Sequence, residues 1–238
     1  MPRESGSETG ANGRLRQVRS FVLRGGRLTV AQERALDEFW PVHGIAPGET
    51  PLDFESLFGN DHQVIADIGF GNGDSTWQMA EQHPEENYLG IEVHRPGVGH
   101  LLMKLEEHAL RNVRIACADA AEFLASRIAE ASLAGVRIYF PDPWPKKRHH
   151  KRRLVQPGFV GLIASKLREG GVLHLATDWT PYAEHMLGVL AESPIFNNLS
   201  PDNTYCLRPP WRPLTRYEKR GQKLGHAVHD LIYCKADV

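Results

Sequence analysis

Short apolar runs alternate along this chain with longer stretches in which apolar positions recur every three or four residues. The runs stand at 63–68 (QVIADI), 87–92 (NYLGIE), 113–117 (VRIAC), 136–140 (VRIYF) and 171–176 (GVLHLA). Runs this short, rich in Val, Ile and Tyr, predict strands covered on both faces. Between the second and third, Val98, Leu101, Leu102, Leu105 and Ala109 share one helical face, which predicts a helix over 97–109. A further helix is expected near 30–40. Strand and helix alternating at this period make βαβ units, so the fold class is α/β with a mostly parallel sheet and helices on both faces. The last apolar run, 227–234 (AVHDLIYC), follows a polar, Gly-containing segment with little room for a crossover helix, so it is expected to run antiparallel at the end of the sheet.

With 238 residues, 41% of them hydrophobic, the chain suits one sizeable core. Residues 1–13 are rich in Gly, Ser and Glu without periodicity and read as a disordered tail. Residues 14–27 interleave five arginines with Leu15, Val18, Phe21, Val22 and Leu23, a basic arm that packs when something holds it. The expected organisation is tail 1–13, arm and helix packed on the core over 14–58, and a catalytic domain over 59–238. The net charge of -1 leaves attraction to polyanions to local clusters. Cys117, Cys206 and Cys234 fall in no CxxC spacing, which argues against a disulfide framework and for a reducing cytoplasm. There is no signal-like apolar region and no run long enough to span a bilayer, so a soluble protein is expected, neither secreted nor inserted.

The first strand leads into DIGFGNG, which places Gly69, Gly71 and Gly73 before a helix starting near Ser75. Glycines at a strand-to-helix turn let backbone N–H groups approach a ligand closely. The dinucleotide pattern G-x-G-x-x-G would need glycine where Asp74 stands, which weighs against an NAD-dependent oxidoreductase. The G-x-G-x-G form, with Asp67 two residues ahead, resembles the nucleoside-binding loop of Rossmann-like methyltransferases that use S-adenosylmethionine. Glu92 ends the second strand and suits ribose hydroxyls, which need an acceptor-only carboxylate. Asp119 follows the third strand and could meet an adenine amino group, although D-x-x-E with Glu122 is also a helix cap. Ligands of open α/β sheets bind outside the carboxyl ends of the strands, where all three acids fall.

The segment 138–154, IYFPDPWPKKRHHKRRL, begins as a strand and ends with six Lys/Arg among the eight residues 146–153. Pro141 and Pro143 stiffen the turn around Asp142 and give its carboxylate a defined direction. Trp144 could stack on a base, and Lys146, Lys147, Arg148, Lys151, Arg152 and Arg153 could meet phosphates. A solvated loop whose Trp covers the core is the plainer alternative. His149 and His150 lack a third ligand and sit among cations, so no metal is expected.

Five motifs then stand in order: DIGFGNG, YLGIEVHRPGVG (88–99), YFPDPWPKKRHHKRRLVQ (139–156), LATDW (175–179) and TRYEKRGQKLGH (215–226). Together they resemble the bacterial tRNA (guanine-N7)-methyltransferases over roughly residues 60–234. The resemblance implies a Rossmann-like class I fold with a seven-stranded sheet and methyl transfer from S-adenosylmethionine to a guanine of the tRNA variable loop. It implies cofactor contacts from Asp67, Glu92, Asp119, Asp142 and the glycines 69, 71 and 73. Asp142 would also be catalytic. Lys146, Asp178, Thr215, Arg216, Tyr217 and Glu218 would hold the substrate. Gly and Trp are usual in the family where Ala227 and His229 stand. The expected partner is tRNA, without membrane or metal, in a monomer or homodimer. A non-catalytic RNA-binding module, or methylation of an exocyclic amine, remains open on the residues alone.

Overall fold

The structure is a computed structural model and describes residues 20–21, 26–214, 218 and 227–236. Seven strands form one sheet: β1 (Val64–Ile68), β2 (Asn87–Ile91), β3 (Val113–Ala116), β4 (Leu133–Tyr139), β5 (Leu167–Thr177), β6 (Phe196–Asn198) and β7 (His229–Lys235). Their order is β3-β2-β1-β4-β5-β7-β6. The first five are parallel, and β7 runs antiparallel to both β5 and β6. The α/β architecture and the reversed last strand agree with the sequence pattern. The edge beyond β7, expected to be the end of the sheet, is taken by β6, whose three residues are held to β7 by backbone pairing with no alternation of their own.

Among the described residues, the helices that cover the sheet are α1 (Val30–His43), α2 (Phe54–Phe58), α3 (Asp74–Gln82), α4 (Arg95–Glu107), α5 (Ala120–Arg127), α6 (Pro157–Lys166) and α7 (Thr180–Ala191). Side chains of a strand alternate between faces, so Ile65, Tyr88, Ile115 and Tyr139 bury against α1, α3 and α4. Ala66, Leu89, Val136 and Leu173 bury with α5, α6 and α7 on the other face. Both faces being covered explains why β1 and β2 are buried at every position.

Helix α1 is started by a capping box of Thr29 and Gln32. It is fastened to α4 at both ends. Gln32 Nε2 donates to the Pro96 carbonyl at 3.0 Å, and His43 Nε2 lies 3.0 Å from a Glu106 carboxylate oxygen. A Cβ at position 99 would stand 2.9 Å from Gln32 Cβ, so Gly99 is what lets the two helices approach this closely.

Candidate active site

The carboxyl ends of β1, β2, β4 and β5 open onto two adjoining cavities that share Gly69, Phe140, Pro141 and Asp142. The first, of ≈ 220 Å³, is lined by Glu92, Ala118 and Ala120, with Ser20 and Phe21 closing one side. The second, of ≈ 420 Å³, is lined by Asp67, Gly71, Ser75, Tyr139 and Asp178. Asp142 therefore stands where the two cavities meet.

The glycine loop is built for close backbone approach. Gly69, Gly71 and Gly73 have φ of 70°, 60° and 76°, a region where other residues are strained. At Gly69 and Gly71 a Cβ would meet nothing within 4 Å, so at these two the space toward the cavities is open. Gly73 caps α3, and a Cβ there would stand 2.7 Å from the Leu101 side chain, which makes it a packing glycine. On the far side of the loop, a Cβ at position 97 would lie 1.9 Å from the Gly71 carbonyl oxygen. The loop thus rests directly on the first turn of α4.

The acids divide by what already holds them. Glu92 accepts backbone N–H groups from Gly71 at 2.9 Å, Val93 at 2.7 Å and His94 at 2.9 Å. These bonds fix its direction and leave lone pairs over for a hydroxyl. Asp67 is buried and accepts from Thr76 Oγ1 at 2.6 Å. Burial is the main cause that pushes its carboxyl up to about 6, opposed by the Thr76 hydrogen bond and by Arg137.

Asp119 and Asp178 differ in this respect. Asp119 caps α5 and accepts from the Glu122 N–H at 3.0 Å. It lines a separate shallow cleft with Lys151 and Arg152, beside the first cavity. By contrast, the N-cap of α7 is Trp179, which makes no side-chain cap bond, and Asp178 lines the second cavity beside Asp142.

The turn that carries Asp142 is strained. Phe140 and Trp144 have φ of 52° and 45°, uncommon for bulky residues. Trp144 is half-buried and less open than its sequence setting suggested: its Nε1 donates to the Ser20 carbonyl at 3.0 Å, and the Arg152 guanidinium lies 4.2 Å from its ring centroid. Lys146, Lys147, Arg148 and Lys151 are exposed along a 3₁₀ turn spanning Lys147–Arg152. Arg153 is not available to phosphate. It is 3% exposed, with its donors taken by backbone carbonyls of the fold.

A buried network that sequence reasoning missed lies behind the second cavity. Arg212 donates to Glu218 at 2.7 and 2.9 Å and to Asp230 at 2.7 and 2.9 Å. Asp230 Oδ1 also lies 2.8 Å from His174 Nε2, and His174 Nδ1 lies 2.9 Å from the Tyr139 hydroxyl. The Arg212 guanidinium is 5.8 Å from the ring centroids of Tyr139 and Phe140, both of which line the cavity. Arg212 lies between Trp211 and Pro213 in a stretch without periodicity, so nothing local marks it as buried. Thr215, Arg216 and Tyr217 lie outside the described residues. His229 Nε2 lies 3.2 Å from Thr180 Oγ1, and its ring meets that of Tyr205 at 4.5 Å, so it packs at the start of β7.

Comparison with known proteins agrees with this geometry. Residues 61–231 match a family described as putative methyltransferase. The tRNA (guanine-N(7)-)-methyltransferase of Alkalilimnicola ehrlichii is 53% identical over 239 residues, covering 100% of this chain and 99% of the relative. That of Pectobacterium atrosepticum is 53% identical over 223 residues, covering 93% of each. Among solved structures, the 16S rRNA methyltransferase KamB superposes with a TM-score of 0.60 at 16% identity, covering 82% of this chain and 99% of that one. The antibiotic-resistance methyltransferase Kmr does so with a TM-score of 0.54 at 14% identity, covering 82% and 95%. These two likenesses speak for the fold, while the sequence identities speak for descent: the chain belongs to the tRNA (guanine-N(7)-)-methyltransferase family.

Proposed function

We propose that this protein transfers the methyl group of S-adenosylmethionine to N7 of a guanine in tRNA, within the variable loop, and releases S-adenosylhomocysteine. The observation that supports this reading most is the position of Asp142 at the junction of two cavities, one suited to a nucleoside and the other acidic. The residues fit the cofactor. Glu92 offers a fixed acceptor for ribose hydroxyls, the open glycines 69 and 71 admit close approach, and the buried Asp67 lines the second cavity, where a cation such as the methionine ammonium would favour its ionised form. Asp119 keeps one carboxylate oxygen for an adenine amine while the other caps α5.

Bound S-adenosylmethionine supplies an electrophilic methyl group on a sulfonium. Guanine N7 carries an in-plane lone pair and no proton, so no general base is required. Positioning then dominates, and holding the two reactants in line is worth roughly 7 to 11 kcal/mol as effective molarity. Positive charge arrives on the guanine ring as the methyl group transfers. Asp142, beside both cavities, stabilises that charge, and Asp178 accepts from the N1–H and exocyclic amine of the same base. Lys146 and its exposed neighbours contact phosphates of the folded RNA, whose backbone is more accessible than its base edges. Glu218 acts through Arg212, which holds both of its oxygens.

Nucleoside analysis of tRNA incubated with the protein and S-adenosylmethionine tests the reading. Formation of 7-methylguanosine is expected, and its absence would overturn the proposal.

A further inference from the structure

We propose that Arg153 is a positioning residue that clamps the turn carrying Asp142 to the first turn of α7, which follows Asp178. The inference rests on the reaction assigned above, but the contacts on which it stands do not. Of the six cations at residues 146–153, Arg153 alone turns inward, at 3% exposure. Its Nε donates to the Pro143 carbonyl at 3.0 Å, one residue beyond Asp142. Its Nη1 donates to the Pro181 carbonyl at 3.3 Å, three residues beyond Asp178. Nη2 lies 3.3 Å from His150 Nε2, and the guanidinium lies 4.8 Å from the Tyr182 ring centroid.

Geometry makes these contacts consequential. Proline at 141 and 143 removes backbone donors from the Asp142 turn, so it has no ladder of its own and must be held from outside. The Pro143 carbonyl belongs to the peptide that precedes Trp144, whose φ of 45° is strained. A planar guanidinium spans two carbonyls at a fixed separation, which a lysine ammonium on a flexible stem cannot do. The clamp is itself anchored, because the Val155 N–H donates to the Tyr182 hydroxyl at 3.2 Å and His185 Nε2 lies 2.8 Å from the Val155 carbonyl. The two carboxylates offered to the guanine are thereby set at one spacing by one side chain.

The test compares the wild type with Arg153→Lys, Arg153→Met and the exposed control Arg148→Met. It measures kcat and KM for tRNA, the salt dependence of tRNA binding, and amide exchange at Trp144 and Asp178. A clamp predicts that Arg153→Met lowers kcat about 100-fold, moves KM by less than about threefold, leaves the salt slope unchanged and speeds exchange at both amides, with partial recovery of kcat in Arg153→Lys. Arg148→Met should flatten the salt slope. A phosphate contact at Arg153 would instead flatten the slope by about 0.7 to 0.9, and that result overturns the proposal. Where Arg153→Met fails to fold, Arg153→Lys decides: wild-type kcat with wild-type exchange sinks the clamp. A wild type that makes no 7-methylguanosine refutes the assigned reaction, and the amide exchange still reports on the clamp.

Discussion

Arg212 and Glu218 face each other fork to fork, two N–H···O bonds of 2.7 and 2.9 Å between side chains that are 0% and 1% exposed. Such a pair adds little over an apolar equivalent, but losing one member strands a buried charge. Arg212→Met is expected to cost about 3–5 kcal/mol of stability, measured by urea denaturation. Combining it with Glu218→Gln should restore part of the loss, because less unpaired charge then stays buried. A double variant no more stable than the single one would show that the penalty comes from elsewhere.

Asp142 carries the proposed catalysis, and it is exposed at the cavity junction, where its removal leaves no hole in the core. Asp142→Ala should melt within a few degrees of the wild type while its rate of 7-methylguanosine formation falls roughly 100- to 1,000-fold, the usual loss for one preorganised electrostatic group. Full activity in this variant would remove Asp142 from the mechanism.

Asp67 gives a pH dependence with a definite sign. Its carboxyl is raised from 3.8 to about 6 by burial, so the folded state binds more protons than the unfolded state between those values. Stability of the ligand-free protein therefore falls as pH rises through that window, by about 3 kcal/mol when complete, at 1.36 kcal/mol per unit. Asp67→Asn removes this loss and should be the more stable protein at pH 7 without ligand. It should also bind S-adenosylmethionine more weakly and lack the rise in affinity expected of the wild type as pH increases through about 6. Calorimetry across pH 5–7 checks both.

The exposed cations at 146–148 should act on binding and leave the chemistry alone. Alanine at Lys146, Lys147 and Arg148 is expected to flatten the dependence of log K on log salt by roughly 0.7 to 0.9 for each cation removed. A slope that does not move would detach this turn from the RNA.

The periodic parts of the fold were open to sequence reading. Strands covered on both faces write themselves as short apolar runs, and α4 shows its buried stripe directly. What escaped was set by contacts far apart in the chain. Phe196–Asn198 becomes a strand only because β7 lies beside it. Arg153 looks like its neighbours in a basic run, yet its partners are carbonyls of Pro143 and Pro181, and only folding brings the second within reach. Arg212 meets Asp230 from 18 residues away. Asp67, Glu92, Asp142 and Asp178 were expected at strand ends, and they line two adjoining cavities because strand ends converge there. Whether an acid also served as a cap was not legible, since D-x-x-E describes Asp119 whether or not a ligand shares it.

The contact between position 97 and the Gly71 carbonyl has a mechanical consequence. With 1.9 Å between that oxygen and any added Cβ, the turn has no slack against α4, and α4 is in turn gripped by α1 through Gln32 and Gly99. Three pieces stand in series like stacked shims, so a helix outside the βαβ repeat sets the height of one wall of the second cavity. Loosening α1 would register first as faster escape of the methyl donor, before unfolding gave any sign of it.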